Sequence, residues 1–471
     1  MFRFFQKCRS LNLIVRQSLS GDPRDFTRGS IKKAIILLSI PMMLEMIMES
    51  VFALVDLYFV GHLPQSTYAL TAVGLTESLL TIVYSLAIGI SMASSAVVAR
   101  RVGEKDLESA AKSAAQAGWL ALICTIVISL AGLFFAPDLL HLMGAEPATI
   151  QEGIQYTRIM MTGSFVILLL FLINGIFRGA GDAFMAMKSL WVANAFNIIL
   201  CPFFIYGIGG WDGLGVTGAA VATTLGRGIG VAYQLWHLFK GSSILKLRQK
   251  YFLPDLKLIR SLVKIAAPGT LQFIIGSCSW IVLAGLVART GHATASAGYQ
   301  TAIRMLIFFI LPAWGMSNAA ATLVGQNLGA NNPDRAALSV WQTARYNMAF
   351  MLAITILTWV MAPWMISFFT ENKPIQQEAV RALRIICSGY VFYGLGMVLT
   401  NAFNGAGDTR TPTWINFVGF WLVQIPLAYA LAIYWKQGVT GIFWAIPISE
   451  TCICIISFYI FRKGNWKKVM V

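Results

Sequence analysis

The sequence predicts an all-α integral membrane protein, with twelve transmembrane helices in two six-helix bundles related by a pseudo-two-fold axis normal to the membrane. Three observations lead there. The 471 residues are 57% hydrophobic and only 12% charged, about half the charged share of a soluble domain. The apolar residues come in twelve long runs, each at least as long as the 20 or so residues a spanning helix needs. The chain also repeats itself at a spacing close to half its length.

The runs fall at 31–61, 68–99, 113–136, 154–178, 189–208, 216–240, 261–289, 298–325, 336–363, 378–404, 413–434 and 440–461. All are expected to be helices. Backbone polar groups in lipid must be satisfied within the segment, and a barrel would show alternation that is missing here. The net charge of +16 comes from 36 Lys and Arg against 20 Asp and Glu. The basic residues sit between spans, so they read as topology rather than as a nucleic-acid surface. Arg100, Arg101, Lys105, Lys188, Lys246, Arg248, Lys250, Lys257, Arg260, Arg335 and Arg410 lie on one set of connections, with both tails. This places both termini in the cytoplasm and requires an even number of spans. The basic start of the chain, with Phe2, Phe4 and Phe5, reads as a cytoplasmic arm and lacks the apolar core of a signal peptide.

Five landmarks recur in order. Pro268 follows Pro41 at an offset of 227. Gly329 follows Gly103 at 226, and so does Gly407 after Gly181, in NGAGD and RGAGD. Pro426 follows Pro202 at 224, and GVTG at 215–218 returns at 438–441. Two halves of six spans face the same way, which relates them by an axis along the membrane normal. The organisation expected is an arm at 1–30, a first six-helix lobe at 31–240, a basic cytoplasmic linker at 241–260, a second lobe at 261–462 and a tail at 463–471. The linker should tie the bundles together and touch anionic lipid.

Seven cysteines, mostly inside apolar runs and without a CxxC, exclude a disulfide framework or zinc site, and four histidines near span ends offer no metal chemistry. No cofactor is expected. The glycine loops 179–181 and 405–407 lack the lysine of a phosphate cradle; they read as tight turns whose Asp182 and Asp408 cap the next helix. A membrane enzyme has no clustered nucleophile, base or metal ligand to work with, and no filter-like segment suggests a channel.

The strongest chemical feature is in span 1, which holds Glu45, Glu49 and Asp56. At about 100° per residue, Glu49 lies about 40° from Glu45, and Asp56 about 20° from it. The three acids share one face and climb roughly 16 Å, about half the hydrocarbon core. Acids there face an interior cavity or bond between packed helices. The second half has Gln272, Gly276 and Leu283 at the matching places, so coupling chemistry belongs to the first half. Arg227, near the middle of span 6, needs a partner or water, and the span 1 acids are the candidate counter-ions. Glu77, Arg304 and Glu450 are further polar residues within spans, more readily structural than functional.

Taken together, VDLYFVGHL, AVGLTES, FRGAGD, NIILCPFFIYG followed by GVTGAAVAT, LVGQNLGA and NGAGDTRTPT resemble the multidrug and toxic compound extrusion family. The likeness covers about 28–462. It implies secondary active efflux of small cationic or zwitterionic organic compounds, through alternating access, by antiport with protons or sodium. It implies a monomer in the plasma (inner) membrane whose partners are a small-molecule substrate and the lipid bilayer, with no nucleic acid. It also implies a first-lobe cation site of Asp56, Asn197 and Thr223, with Cys201 standing where the family has an aspartate. Glu45 or Glu49 supplies the missing charge in this reading. The acids of the sodium-coupled NorM-like branch are absent from span 7. The alternative is a flippase for lipid-linked or other amphiphilic substrates. A flippase needs inward cationic residues for phosphate, and the chain offers chiefly Arg227 and Arg304.

Overall fold

The computed structural model describes residues 14–21, 25–63, 66–207, 209–240 and 243–471. The side chains of Ala53, Leu54, Asp56, Leu57, Ser66 and Thr67 are outside that description, as are Phe2, Phe4 and Phe5 of the arm.

The first half is built from α1 (Ile31–Gly61), α2 (Ser66–Gly103), α3 (Leu107–Leu142), α4 (Pro147–Thr162), α5 (Ser164–Ala180), α6 (Ala183–Tyr206) and α7 (Val216–Lys240). The second half has α8 (Leu256–Gly329), α9 (Pro333–Ser367), α10 (Lys373–Cys387), α11 (Tyr390–Ala406), α12 (Arg410–Tyr434) and α13 (Val439–Lys463). No strand occurs among the described residues. Nine helices are long and apolar enough to cross a membrane by length and composition, among the described residues. The twelve runs fit these helices once three features are counted. The 74-residue α8 breaks at His292, whose φ of 57° is not helical, so it carries two runs. Helices α10 and α11 meet at 54° and together make one crossing. The 25-residue α7 is less apolar because it buries Arg227 and Gln234, yet at about 37 Å it is long enough to span.

Within α12 the backbone widens into π turns over Phe417–Gln424 and Ala430–Tyr434, on either side of Ile425–Tyr429. The second half runs two residues shorter than the first between its GAGD glycine and its span proline.

Helices α3 and α9 bury little of their apolar length. Leu122, Ile123, Ile126, Val127, Leu130 and Phe134 stand exposed along α3, and Leu352, Ile356, Trp359 and Val360 along α9. Continuous apolar exposure of this extent is stable only against lipid.

The chain forms two compact units. Among the described residues, one comprises 16–21 and 44–270; the other comprises 14–15, 25–43 and 271–471. In the first, α2 packs along α5, and α6 along α7. The segment before α8 lies on α3. The Gln116 amide donates to the Tyr251 and Leu253 carbonyls, the Trp119 indole donates to Phe252 O, and Lys112 pairs with Asp255 at 2.7 Å. In the second unit, Leu283, Tyr299, Met351, Leu383 and Phe443 build a core, with the Tyr299 and Phe443 rings stacked. The tail folds back there: Trp466 is buried against the Phe461 ring, and Lys467 pairs with Asp334.

The internal repeat extends to local geometry. Gly181 and Gly407 both close their helices in the left-handed region, at φ 87°. A Cβ at Gly179 would strike the Ser95 backbone, and one at Gly405, the matching residue, would strike the Ala321 backbone. Glycine is therefore required at both places for α5 to lie against α2, and α11 against α8. Lys105 and Asn331 share a positive φ at the same spacing, and Asp106 and Asn332 cap the helices that follow them. Asp182 caps α6 through Met185 N, while Asp408 accepts from Thr411 N and Oγ1.

Candidate functional site: a buried charge network in the first half

Helix α1 carries its acids along one face because their spacing nearly matches whole turns. Within the unit that contains 44–270, two of them meet arginines. Glu45 is fully buried, and its Oε1 accepts from Asn174 Nδ2 and Arg178 Nη1, each at 3.0 Å. Arg178 also donates to Ser91 Oγ, and Gln234 donates to Asn174 Oδ1 at 2.6 Å. The second carboxylate oxygen of Glu45 is buried without a hydrogen-bond partner. This pair is tight and largely buried, and removal of either member strands a charge.

One turn further on, Glu49 faces Arg227 at 3.6 Å. This pair is looser. Arg227 is 3% exposed and Glu49 23%. The guanidinium donates to Tyr84 Oη at 3.0 Å and lies over the Phe52 ring at 4.4 Å. Arg227 is thus held by a phenol and an aromatic face as well as by the carboxylate. Glu49 is therefore not the sole partner of the guanidinium.

Asn197 and Thr223 are brought together, with Asn197 Nδ2 donating to Thr223 Oγ1 at 3.2 Å. Both are buried, on α6 and α7. Gly226 allows this approach, since a Cβ there would sit 3.0 Å from the Asn197 side chain. Thr223 is one turn before Arg227 on α7, so the neutral pair adjoins the charged one. Cys201 is buried one turn along α6 from Asn197. Asp56 lies in α1, but its side chain is outside the described residues.

Sequence reasoning missed Arg178 and Tyr84. The repeat held a signal for the first. Glu45 and Arg178 map onto Gln272 and Asn404, so both charges are neutral in the second half. Paired loss of opposite charges points to contact. Tyr84 gave no such signal, because a tyrosine in an apolar run reads as packing.

Comparisons with known proteins agree with this construction. The MatE family profile matches residues 41–203 and 268–430, two stretches of equal length that begin at the paired prolines Pro41 and Pro268. A probable multidrug resistance protein NorM of Thermotoga maritima is 26% identical over 444 residues, covering 93% of this chain and 94% of the relative. The multidrug export protein MepA of Staphylococcus aureus is 22% identical over 435 residues, covering 92% and 94%. A crystal structure of MATE in the straight conformation superposes with a TM-score of 0.88 at 28% identity, covering 94% of this chain and 98% of that one. A MOP superfamily transporter from Pyrococcus furiosus, described as having a binding pocket of reverse polarity, gives 0.87 at 28% identity over 94% and 98%. The family profile spans well over half of the sequence, and the chain belongs to the MatE family of membrane-embedded multidrug efflux transporters.

Proposed function

We propose that this transporter expels small cationic or zwitterionic organic compounds from the cell in exchange for protons, alternating access between the two sides of the plasma membrane. Both termini are cytoplasmic in this reading and the working unit is a monomer. The observation that carries it is the loose Glu49–Arg227 pair beside the Asn197–Thr223 hydrogen bond. A carboxylate beside a guanidinium that has other partners has a charge to give up and a neighbour that stays.

In the outward step, a proton reaches the carboxylate face of α1, at Asp56 or at Glu49. Neutralising an acid weakens its hold on a bound organic cation and lets the cation leave. Tyr84 and Phe52 keep Arg227 in place meanwhile. In the inward step, loss of the proton restores the negative face and prepares it for another cation. Asn197 and Thr223 serve as neutral ligands throughout. With Cys201 in place of an acid, the site carries fewer negative charges, which favours the proton over sodium as the exchanged ion.

The test is reconstitution in liposomes loaded with a fluorescent organic cation. Efflux driven by an imposed proton gradient, in the absence of sodium, supports the proposal. Efflux that requires sodium rejects the proton assignment. Movement of a labelled lipid, with the cation retained, favours the flippase alternative.

A further inference from the structure

The second half holds a buried acid that the exchange scheme does not use. Glu450 lies midway along α13 and is 8% exposed. The offset that carries GVTG at 215–218 onto 438–441 also carries Arg227 onto Glu450. Where the first half buries a cation, the second half therefore buries an anion. Ile310 stands where the first half has Tyr84, at the offset of the paired GAGD glycines, and Gly276 stands where it has Glu49, at the offset of the paired prolines. The second half supplies neither of the groups that partner Arg227.

The carboxylate of Glu450 borders a small space lined also by Trp280, Ile310, Ile386, Tyr390 and Tyr393, with room for little more than one water molecule. No hydrogen bond or ion pair reaches this carboxylate among the described residues. The Tyr390 hydroxyl is buried, with the Cys387 thiol as its neighbour. The titratable groups around Glu450 are Tyr390 and Tyr393 from α11, Cys387 from the end of α10 and Cys454 one turn along α13. Helix α8 contributes Trp280 and Ile310, and no titratable residue of α12 lines the space. No Lys, Arg or His lines it either, among the described residues.

We propose that Glu450, Tyr390 and Tyr393 form a second small-cation site, confined to the second half, that takes up a proton or a monovalent metal ion. A bare carboxylate in such surroundings is unstable unless its charge is cancelled. With no basic side chain at hand, cancellation comes from outside. The water-sized space excludes an organic cation. The phenol and carboxylate oxygens are hard donors, which suit a proton or a hard ion. Proton uptake is balanced by formation of one O–H bond on the carboxylate. Metal uptake leaves the carboxylate ionised. The site involves none of the residues of the exchange scheme, so the two stand or fall separately.

Trp280 is a reporter already in place. Purified full-length protein is followed by tryptophan fluorescence and by carboxyl infrared difference spectra from pH 5 to 9, with potassium chloride as the only salt. Sodium chloride is then added at pH 9. The wild type is expected to show a fluorescence step that Trp280→Phe removes. Glu450→Gln should abolish the step while the protein stays monodisperse and keeps its unfolding temperature. Tyr393→Phe should retain the step with its midpoint displaced. A carboxyl band that disappears as pH rises and is missing in Glu450→Gln identifies the bound cation as a proton. A sodium-induced step without that band identifies a metal ion. Titrations by proton and by sodium that are the same in wild type and Glu450→Gln overturn the proposal, as does the absence of any response in the wild type.

Discussion

Two acids of α1 in the first half are paired with arginines, and the matching places of the second half hold no such pairs. Glu45 meets Arg178 and Glu49 meets Arg227, while the matching places in the second half read Gln272 and Asn404, and Gly276 and Glu450. Backbone devices are conserved between the halves in the same detail that the charges are not: the left-handed glycines, the close helix contacts and the helix caps recur at one common offset. Duplication preserved what a spanning bundle needs for packing. The polar interior was free to diverge, because each carboxylate answers only to its nearest partners. Function is therefore to be sought where the repeat breaks.

The largest effect on stability that this comparison predicts is at the tight pair. Arg178→Ala strands the buried Glu45 and should destabilise the protein by roughly 3–5 kcal/mol. Asn404→Ala, at the matching place, strands no charge and should cost roughly 1 kcal/mol, the scale of an ordinary substitution. Equal losses of unfolding temperature for the two variants would break the comparison. Tyr84→Phe comes next. It removes the phenol that anchors Arg227, a hydrogen bond to a charged group of about 1.5–3 kcal/mol, and should slow efflux about tenfold or more with the protein still folded. Efflux assays on equal amounts of membrane-inserted protein read this directly.

A smaller effect belongs to the Asp182 cap. Burial pushes the Asp182 carboxyl up to about 6. The folded protein then holds this proton more tightly than the unfolded chain. Its stability is highest below the ordinary carboxylate range, declines as pH rises toward 6 and is level beyond. The loss between pH 4 and pH 7 is on the order of 2 kcal/mol, and Asp182→Asn, which can still cap α6, should remove it. Thermal unfolding at the two pH values checks this. The smallest effect is at Cys201, buried near Asn197 but absent from both ion pairs. Cys201→Ser should leave the efflux rate within about twofold; a larger loss would give the thiol a role among the neutral ligands.

Much of the architecture was legible because lipid makes composition decisive. Twelve apolar runs follow from the cost of polar groups in a bilayer, and the repeat at nearly half the chain length divides them into two sets of six. The break at His292 was legible, since it falls between the apolar runs 261–289 and 298–325, whereas the π turns of α12 interrupt no apolar run and left no mark. At the site, periodicity placed Glu45 and Glu49 on one face, and the cost of an isolated charge sent Arg227 toward α1. The choice between the acids was beyond such reasoning. Whether Arg227 meets Glu45 or Glu49 depends on which helix brings a second arginine, and Arg178 sits in a motif that reads as a turn. Glu450 read as a structural polar residue because its neighbours come from α8, α10 and α11, far away in the chain.

The central claim is that exchange is driven from the acidic face of α1. It is tested most directly with Asp56→Asn in proteoliposomes loaded with a fluorescent organic cation, under an imposed proton gradient. Loss of proton-driven efflux, with the variant inserted and folded like the wild type, is the result the account predicts. Efflux at the wild-type rate under the same gradient would contradict it.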